Sequence, residues 1–348
     1  MIRVILLCMV LVAVSVMPVA AQDTVDLAGI KSYLLDHVAQ LEENTARLEQ
    51  ASLDYFNLAE AAGFDYAALW GDQKLAVTTS LLEARDAWLV ASPLYEQVEG
   101  VVAGVPSLSE FDVILDAGAS GADDPEGGVP FDLTLRNGDV LERPGNLFGV
   151  LESTLWGTNA DYSSAVEADL NFNSTIDFGE QLPDAQVLLA AAETMHQYAI
   201  DLTAASEAWE PTVEDAFTAL VVMVPTMSEY FGSWRDSRFV LGDESTQADF
   251  VVISRLADIQ DILGGLIVVY DNVTPMVEGV DAAQAGQIEQ DLTDLQSYVA
   301  DLYSQEQGGR LFTPEEADVF GSEAQDRAQA ITGQIAQVAA LLNIDLPE

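Results

Sequence analysis

Carboxylates are the side chains whose number and spacing suggest chemistry in this sequence. Glu96 and Glu99 stand three apart, so a helix puts both on one side. Tyr95 and Val102 flank Glu99 on that same side, which takes it off a plainly wet face. Asp112 and Asp116 are four apart and stack in the same way. Glu152 shares a helical face with Phe148, Leu155 and Trp156. An acid inside an apolar stripe needs a partner, because an unpaired buried carboxylate is costly or stays protonated. That partner is either a metal ion or an arginine such as Arg85 or Arg143, and periodicity alone favours the arginine. Oxygen donors of this kind suit hard divalent cations.

A second carboxylate set is local. Asp169, Asn171, Asn173, Thr175, Asp177 and Glu180 fall at positions 1, 3, 5, 7, 9 and 12 of a calcium-binding loop, with Ile176 at its apolar eighth position. In such a loop alternate side chains of a tight turn face one centre, and the last Glu supplies two oxygens. Ser174 stands where glycine normally takes the sharp turn, which implies backbone strain, and three acids imply modest affinity. The bland alternative is a polar linker. A third group is Arg235, Arg238 and Arg255, with Asp236, Asp258 and Asp261 nearby. Buried ion pairing that positions the second half of the chain is the preferred reading there, ahead of ligand binding.

Other catalytic chemistry finds little support. There is no G-x-S-x-G, no P-loop, no G-x-G-x-x-G after a strand and no H-E-x-x-H. His37 and His196 lie in separate helical stretches with no acid or cysteine at metal spacing, so surface or packing roles are expected.

The elements that must position these residues read as helices. Apolar residues recur at helical spacing from Val25 to Ala62, from Asp72 through Trp88 and on past Pro93, and from Asn146. Ser109 is a plausible cap for a short helix to Asp116. Further helices are expected at 183–209, at 213–231 with a kink at Pro225, at 248–273, at 282–303 and at 314–342. The last has Thr313 as cap, Pro314 at the first position and Glu316 reaching back. One β element interrupts them, a hairpin at 131–142 with Asn137-Gly138 at its tip, predicted as a type I′ turn. The fold expected is all-α: two fused helical bundles with one small β-hairpin insertion, an N-terminal bundle at 22–168, the 169–180 loop, and a C-terminal bundle at 181–348.

Composition bounds the partners. The chain has 348 residues and carries a net charge of −46, from 12 Lys+Arg against 58 Asp+Glu. Such a balance excludes nucleic acid, whose phosphates need clustered bases, and disfavours an anionic membrane surface. Cations or basic molecules remain as partners. The scarcity of lysine, present only as Lys31 and Lys74, also fits adaptation to a saline medium. Residues 1–21, with Arg3, an apolar run to Val16 and Val19-Ala20-Ala21 before Gln22, have the anatomy of a cleaved secretory signal; a retained anchor is the alternative. The single cysteine, Cys8, lies inside that run, so a secreted or periplasmic mature chain would hold no disulfide and no membrane-inserted segment.

Several stretches resemble one family. Ala84-Arg85 followed by Tyr95-Glu96-Gln97-Val98-Glu99, then Phe111-Asp112-Val-Ile-Leu115-Asp116-Ala, then Leu147-Phe148-Gly149-Val150-Leu151-Glu152 with Leu155-Trp156, are similar to motifs of the imelysin-like family. That family includes the periplasmic EfeO-type component of ferrous-iron uptake. Ile259, Gly265-Leu266, Tyr270, Pro275 and the Thr313-Pro314-Glu315-Glu316 start extend the likeness into the C-terminal third.

The resemblance implies two fused helical bundles and a divalent metal site. Its ligands would be Glu152 from the third motif, Glu96 and Glu99 from the first, and Asp112 and Asp116 from the second. It also implies a link to iron uptake and a partner such as a membrane permease or another uptake component. Two positions depart. Gly149 stands where the family has its histidine, which shifts the expected metal from iron towards calcium, magnesium or manganese. Gly100 replaces a proline. The hairpin at 131–142 is placed to cover the altered site. A non-catalytic exported metal-binding protein is therefore the leading expectation. An acidic surface scaffold or partner-binding module is the alternative, and a metallopeptidase is disfavoured for want of the motif histidine.

Overall fold

The computed structural model describes residues 26–347; the expected signal at 1–21, with Cys8, lies outside them. Two long antiparallel helices open the chain, α1 (Ala28–Ala61) and α2 (Tyr66–Val102). In α1 the spacing seen in sequence is the buried stripe: Ile30, Leu34, Val38, Leu41 and Leu48 are almost wholly covered. Helix α2 starts earlier than its apolar pattern, because Asp65 caps it by accepting from the Ala68 N–H. It breaks helical geometry at Gln73 and then runs on through Pro93.

A short helix α3 (Ser109–Asp112) passes into a π-turn at Val113–Ala117. The expected hairpin follows as β1 (Leu133–Thr134) paired with β2 (Val140–Leu141). Its turn is not type I′. The Gly138 N–H donates to Leu135 O and only Gly138, at φ +92°, is left-handed, which is a type I turn closed by a glycine bulge. Helix α4 (Leu147–Leu155) is capped by Asn146.

Strands β3 (Ser163–Glu167) and β4 (Gln181–Pro183) pair antiparallel and frame the 169–180 loop, a second β element that the short, weakly patterned strands did not announce. Then come α5 (Ala185–Ala208), α6 (Val213–Met223), a 3-10 turn containing Pro225, α7 (Met227–Asp236) and α8 (Arg238–Leu241). The two helices expected at 248–273 and 282–303 are one helix, α9 (Arg255–Gln307), with a non-helical residue at Asp281. Its start at the Ser254 cap leaves 248–254 irregular. Helix α10 (Pro314–Leu342) opens with the predicted Thr313–Glu316 capping box.

Helices α1, α2, α4 and α5 form one group, and α6, α7, α9 and α10 a second. Helix α5, which the 181–348 division places with the second bundle, packs against α1 and α4. A single apolar core runs through both groups. They meet along α2 and α9, where a Cβ on Gly100 would sit 2.9 Å from Leu266 and one on Gly265 would sit 2.3 Å from Gln97 O. These two glycines let α9 approach α2 beside Glu96 and Glu99, and Gly100 thereby acquires a packing reason. Among the described residues no helix is long and apolar enough to cross a membrane.

Candidate metal centre

Three of the predicted acids converge. Glu96 and Glu99 of α2 and Asp116 of the π-turn each present one oxygen, all within 4.8 Å of one another; no other group of three acids, histidines or cysteines does so among the described residues. Glu96 and Glu99 are 2% exposed and Asp116 is 5% exposed. Asp112 lies beside them and accepts from the Tyr95 hydroxyl at 2.8 Å. Glu99 Oε1 accepts from the Tyr230 hydroxyl of α7 at 2.7 Å. Glu96 Oε2 and Glu99 Oε2 are fully buried with no hydrogen-bond partner.

Arg255, the first residue of α9, enters this cluster. Its guanidinium lies 2.9 Å from Asp258, 3.5 Å from Glu96 and 4.0 Å from Asp116, between the rings of Phe250 and Tyr230. The Arg255–Asp258 pair is the buried ion pair expected of the arginine group. The expectation fails for its other two members: Arg235 pairs with Asp236 and Asp318 at the surface, and Arg238 pairs with the exposed Asp243 and lies over Phe178. A single guanidinium thus pairs with Glu96, Asp116 and Asp258, while Glu99 and Asp112 bond to tyrosine hydroxyls. Burial, then repulsion among the acids, pushes the carboxyls of Glu96 and Asp116 well up. Burial holds Asp112 up to about 7 and Asp258 to about 6.

Glu152 stands apart from this convergence. Its Oε2 accepts from the Phe250 N–H at 2.6 Å, and its Oε1 from the Val251 and Val252 N–H groups at 2.9 and 3.0 Å. Its apolar surroundings demanded a partner, and a run of backbone amides supplies one. Burial pushes its carboxyl up to about 8, while the three amides pull it down. By fixing 250–252, Glu152 of α4 holds the segment that leads into Arg255. Arg85 instead donates to Leu155 O and Gly179 O, and Arg143 to Pro125 O and Gly121 O. Gly149 faces Asp249, whose Oδ2 would lie 3.0 Å from a Cβ there.

The cluster opens to one side onto a cleft of about 870 Å³, whose walls include Asp123, Glu142, Asp161, Glu229 and Asp249 as well as Glu99, Asp112 and Asp116. The hairpin does not cover it. Phe131 packs on Tyr198 and Arg136 pairs with Glu193, so the hairpin leans on α5, and only its outgoing end, Glu142 and Arg143, reaches the rim.

The 169–180 loop is built differently. Asn171 and Asn173 donate to Asp177 Oδ2 at 3.2 and 2.6 Å, and Thr175 to Asp177 Oδ1 at 3.3 Å. Asp169 accepts from the Asn173 and Ser174 N–H groups, and Ser174 takes the left-handed conformation at φ +73°. Positions 3, 5, 7 and 9 therefore gather around Asp177. Glu180 is buried, and its oxygens accept from the Leu170, Asn171 and Asp177 N–H groups.

Neither histidine is near the cleft walls: His37 bonds to Tyr33 O and His196 meets Thr45 and Glu49. Asp258, Tyr230 and Phe250 complete the cluster without having been singled out as site residues. The pairing of Arg255 with an acid three residues on was the readable signal for Asp258; Tyr230 and Phe250 offered none.

A comparison with protein families finds that the Imelysin (Peptidase M75) model matches residues 32–344. No curated protein matches the chain.

Proposed function

The chain belongs to the imelysin family, and from that premise we propose that it is an exported, non-catalytic protein that binds a divalent metal ion in metal uptake. One observation carries this reading: Glu96 Oε2 and Glu99 Oε2 are buried without a partner, in a cluster where one guanidinium pairs with Glu96, Asp116 and Asp258. Buried carboxylates need counter-charge, and a cation supplies it more completely than Arg255 alone. The residues that would hold the ion are Glu96, Glu99 and Asp116, with Asp112 adjoining. All their donors are oxygen, which suits calcium, magnesium or manganese; iron remains the metal implied by the family. The acidic cleft would concentrate cations at its mouth. A membrane permease or another uptake component is the partner this role requires.

Binding is favoured over peptide hydrolysis, despite the family's peptidase label, because the cleft walls carry no histidine to complete a zinc site with an open position. The test is elemental analysis of protein purified without chelator, followed by metal titration. Wild type is expected to retain a stoichiometric divalent metal and Glu99→Gln to lose it. Equal metal content in both would leave the acidic scaffold as the surviving role.

A second reading concerns the 169–180 loop, which we propose as an independent calcium site because its side chains at positions 3, 5, 7 and 9 already gather. Calcium is expected to raise the Tm by binding the folded state, and Asp177→Ala to abolish that increment. An undiminished increment in the variant would retire the loop.

A further inference from the structure

Three acids of the buried cluster have one oxygen already committed to the protein, whereas Asp116 has only the 4.0 Å approach of Arg255. Glu99 Oε1 takes the Tyr230 hydroxyl, Asp112 Oδ1 takes the Tyr95 hydroxyl and Glu96 Oε1 pairs with Arg255. The oxygens left over on Glu96 and Glu99, their Oε2 atoms, are the two that are buried without partners. Tyr95 and Tyr230 are themselves almost wholly buried, so each hydroxyl relies on the carboxylate that accepts from it. Rotating Glu99 to present both oxygens would break a 2.7 Å bond and leave a buried hydroxyl unpaired, which is costly.

We propose that these clamps make Glu96, Glu99 and Asp112 one-oxygen donors, so that the buried site selects a small six-coordinate cation of the manganese or magnesium class over calcium. This rests on the proposed metal site and narrows it. Calcium takes six to eight oxygens and draws on two-oxygen carboxylates to reach that number. Three or four single oxygens, completed by water from the cleft, instead match an octahedral ion that keeps part of its hydration shell. Tyr230 and Tyr95 are then specificity-determining residues: they touch no ion, and they decide how many oxygens each acid can give.

The experiment is titration of Mn²⁺ and Ca²⁺ into the full chain carrying Asp177→Ala, so that the 169–180 loop does not contribute. Manganese binding is read by electron paramagnetic resonance and both ions by calorimetry. Mn²⁺ is expected to bind more tightly than Ca²⁺ by about tenfold or more. Tyr230→Phe, which frees Glu99 Oε1, is expected to narrow that ratio by improving Ca²⁺ binding. If Tyr230→Phe fails to fold, judged by circular dichroism, Tyr95→Phe, which frees Asp112, makes the same test. Calcium binding as tightly as manganese before the tyrosine is changed would overturn the selection while leaving the metal site standing. A ratio unmoved in a folded tyrosine variant would overturn the clamps as its cause. Failure of both ions to bind would remove the site itself, and this inference with it.

Discussion

Two acidic constellations, built from the same side-chain chemistry, sit in opposite environments. Asp177 lies in a solvated loop and is satisfied by Asn171, Asn173 and Thr175, which hold its carboxyl below the usual range. Glu96, Glu99 and Asp116 come from two separate elements and have one buried guanidinium beside Glu96 and Asp116, with two oxygens unpartnered. The contrast teaches that the number of acids says little about a cation site. What matters is whether water or backbone amides have already met the charge. The loop can stand without an ion, whereas the buried cluster must hold protons or a cation.

The comparison can be broken most forcefully at Arg255. Arg255→Met removes the guanidinium and is expected to destabilise the cation-free protein at pH 7 by about 3–5 kcal/mol in urea unfolding, the usual effect of stripping one partner from a buried ion pair. Saturating Mn²⁺ should recover part of the loss. A change below about 1 kcal/mol would mean that protons already neutralise the cluster.

Next comes Glu152→Ala, which frees three backbone N–H groups at 250–252. A loss of about 2–3 kcal/mol is expected, since a buried N–H left without its acceptor costs about 1–3 kcal/mol in lost solvation. Hydrogen exchange should quicken at Phe250, Val251 and Val252. If exchange there is unchanged, Glu152 does not position the segment leading to Arg255.

The pH dependence separates the two regions by sign. Asp112 and Asp258 keep protons up to about 7 and about 6, against an ordinary value of 3.8, so the folded cluster is protonated where the unfolded chain is not. Their contribution to the stability of the cation-free protein is therefore full below about pH 4 and is lost as pH rises to about 7. A cation must displace those protons, so the metal-induced rise in Tm should grow across that same window. Asp177 is shifted the other way, so its contribution is present above its ordinary value and is lost only as pH falls below it. The calcium increment from the loop should accordingly be flat above about pH 5. Differential scanning fluorimetry from pH 4 to 8 distinguishes these patterns, and a metal increment independent of pH would contradict the buried cluster's protonation.

The smallest effect is expected at Ser174. Its left-handed backbone is costly for a residue with a Cβ, so Ser174→Gly should raise stability by about 0.5–1 kcal/mol after the entropy of glycine is offset. It should also strengthen calcium binding. A destabilised Ser174→Gly would show that the turn carries no strain.

Much of the scaffold was readable because helix formation is a local matter. The stripe of α1, the Thr313 cap of α10, the kink at Pro225 and the start of α4 after Asn146 each follow from residues within a turn or two. The i, i+3 spacing of Glu96 and Glu99 put them together for the same reason. The errors share the opposite cause. Glu152 was known to need a partner, but its amides come from about a hundred residues along the chain, and no side-chain pattern marks a backbone N–H. The hairpin was placed over the site by its position in sequence, yet Phe131 and Arg136 find their contacts on α5.

Composition, periodicity and capping act over short range, so an acidic, helical chain with the imelysin motifs, and the residue types for a cation site, can be read along the chain. Which acids converge, that Arg255 lies among them and that tyrosines hold one oxygen of two of them emerge from packing alone. Those choices depend on how α2, the π-turn, α7 and the start of α9 pack together, and side-chain packing between distant segments leaves no period along the chain.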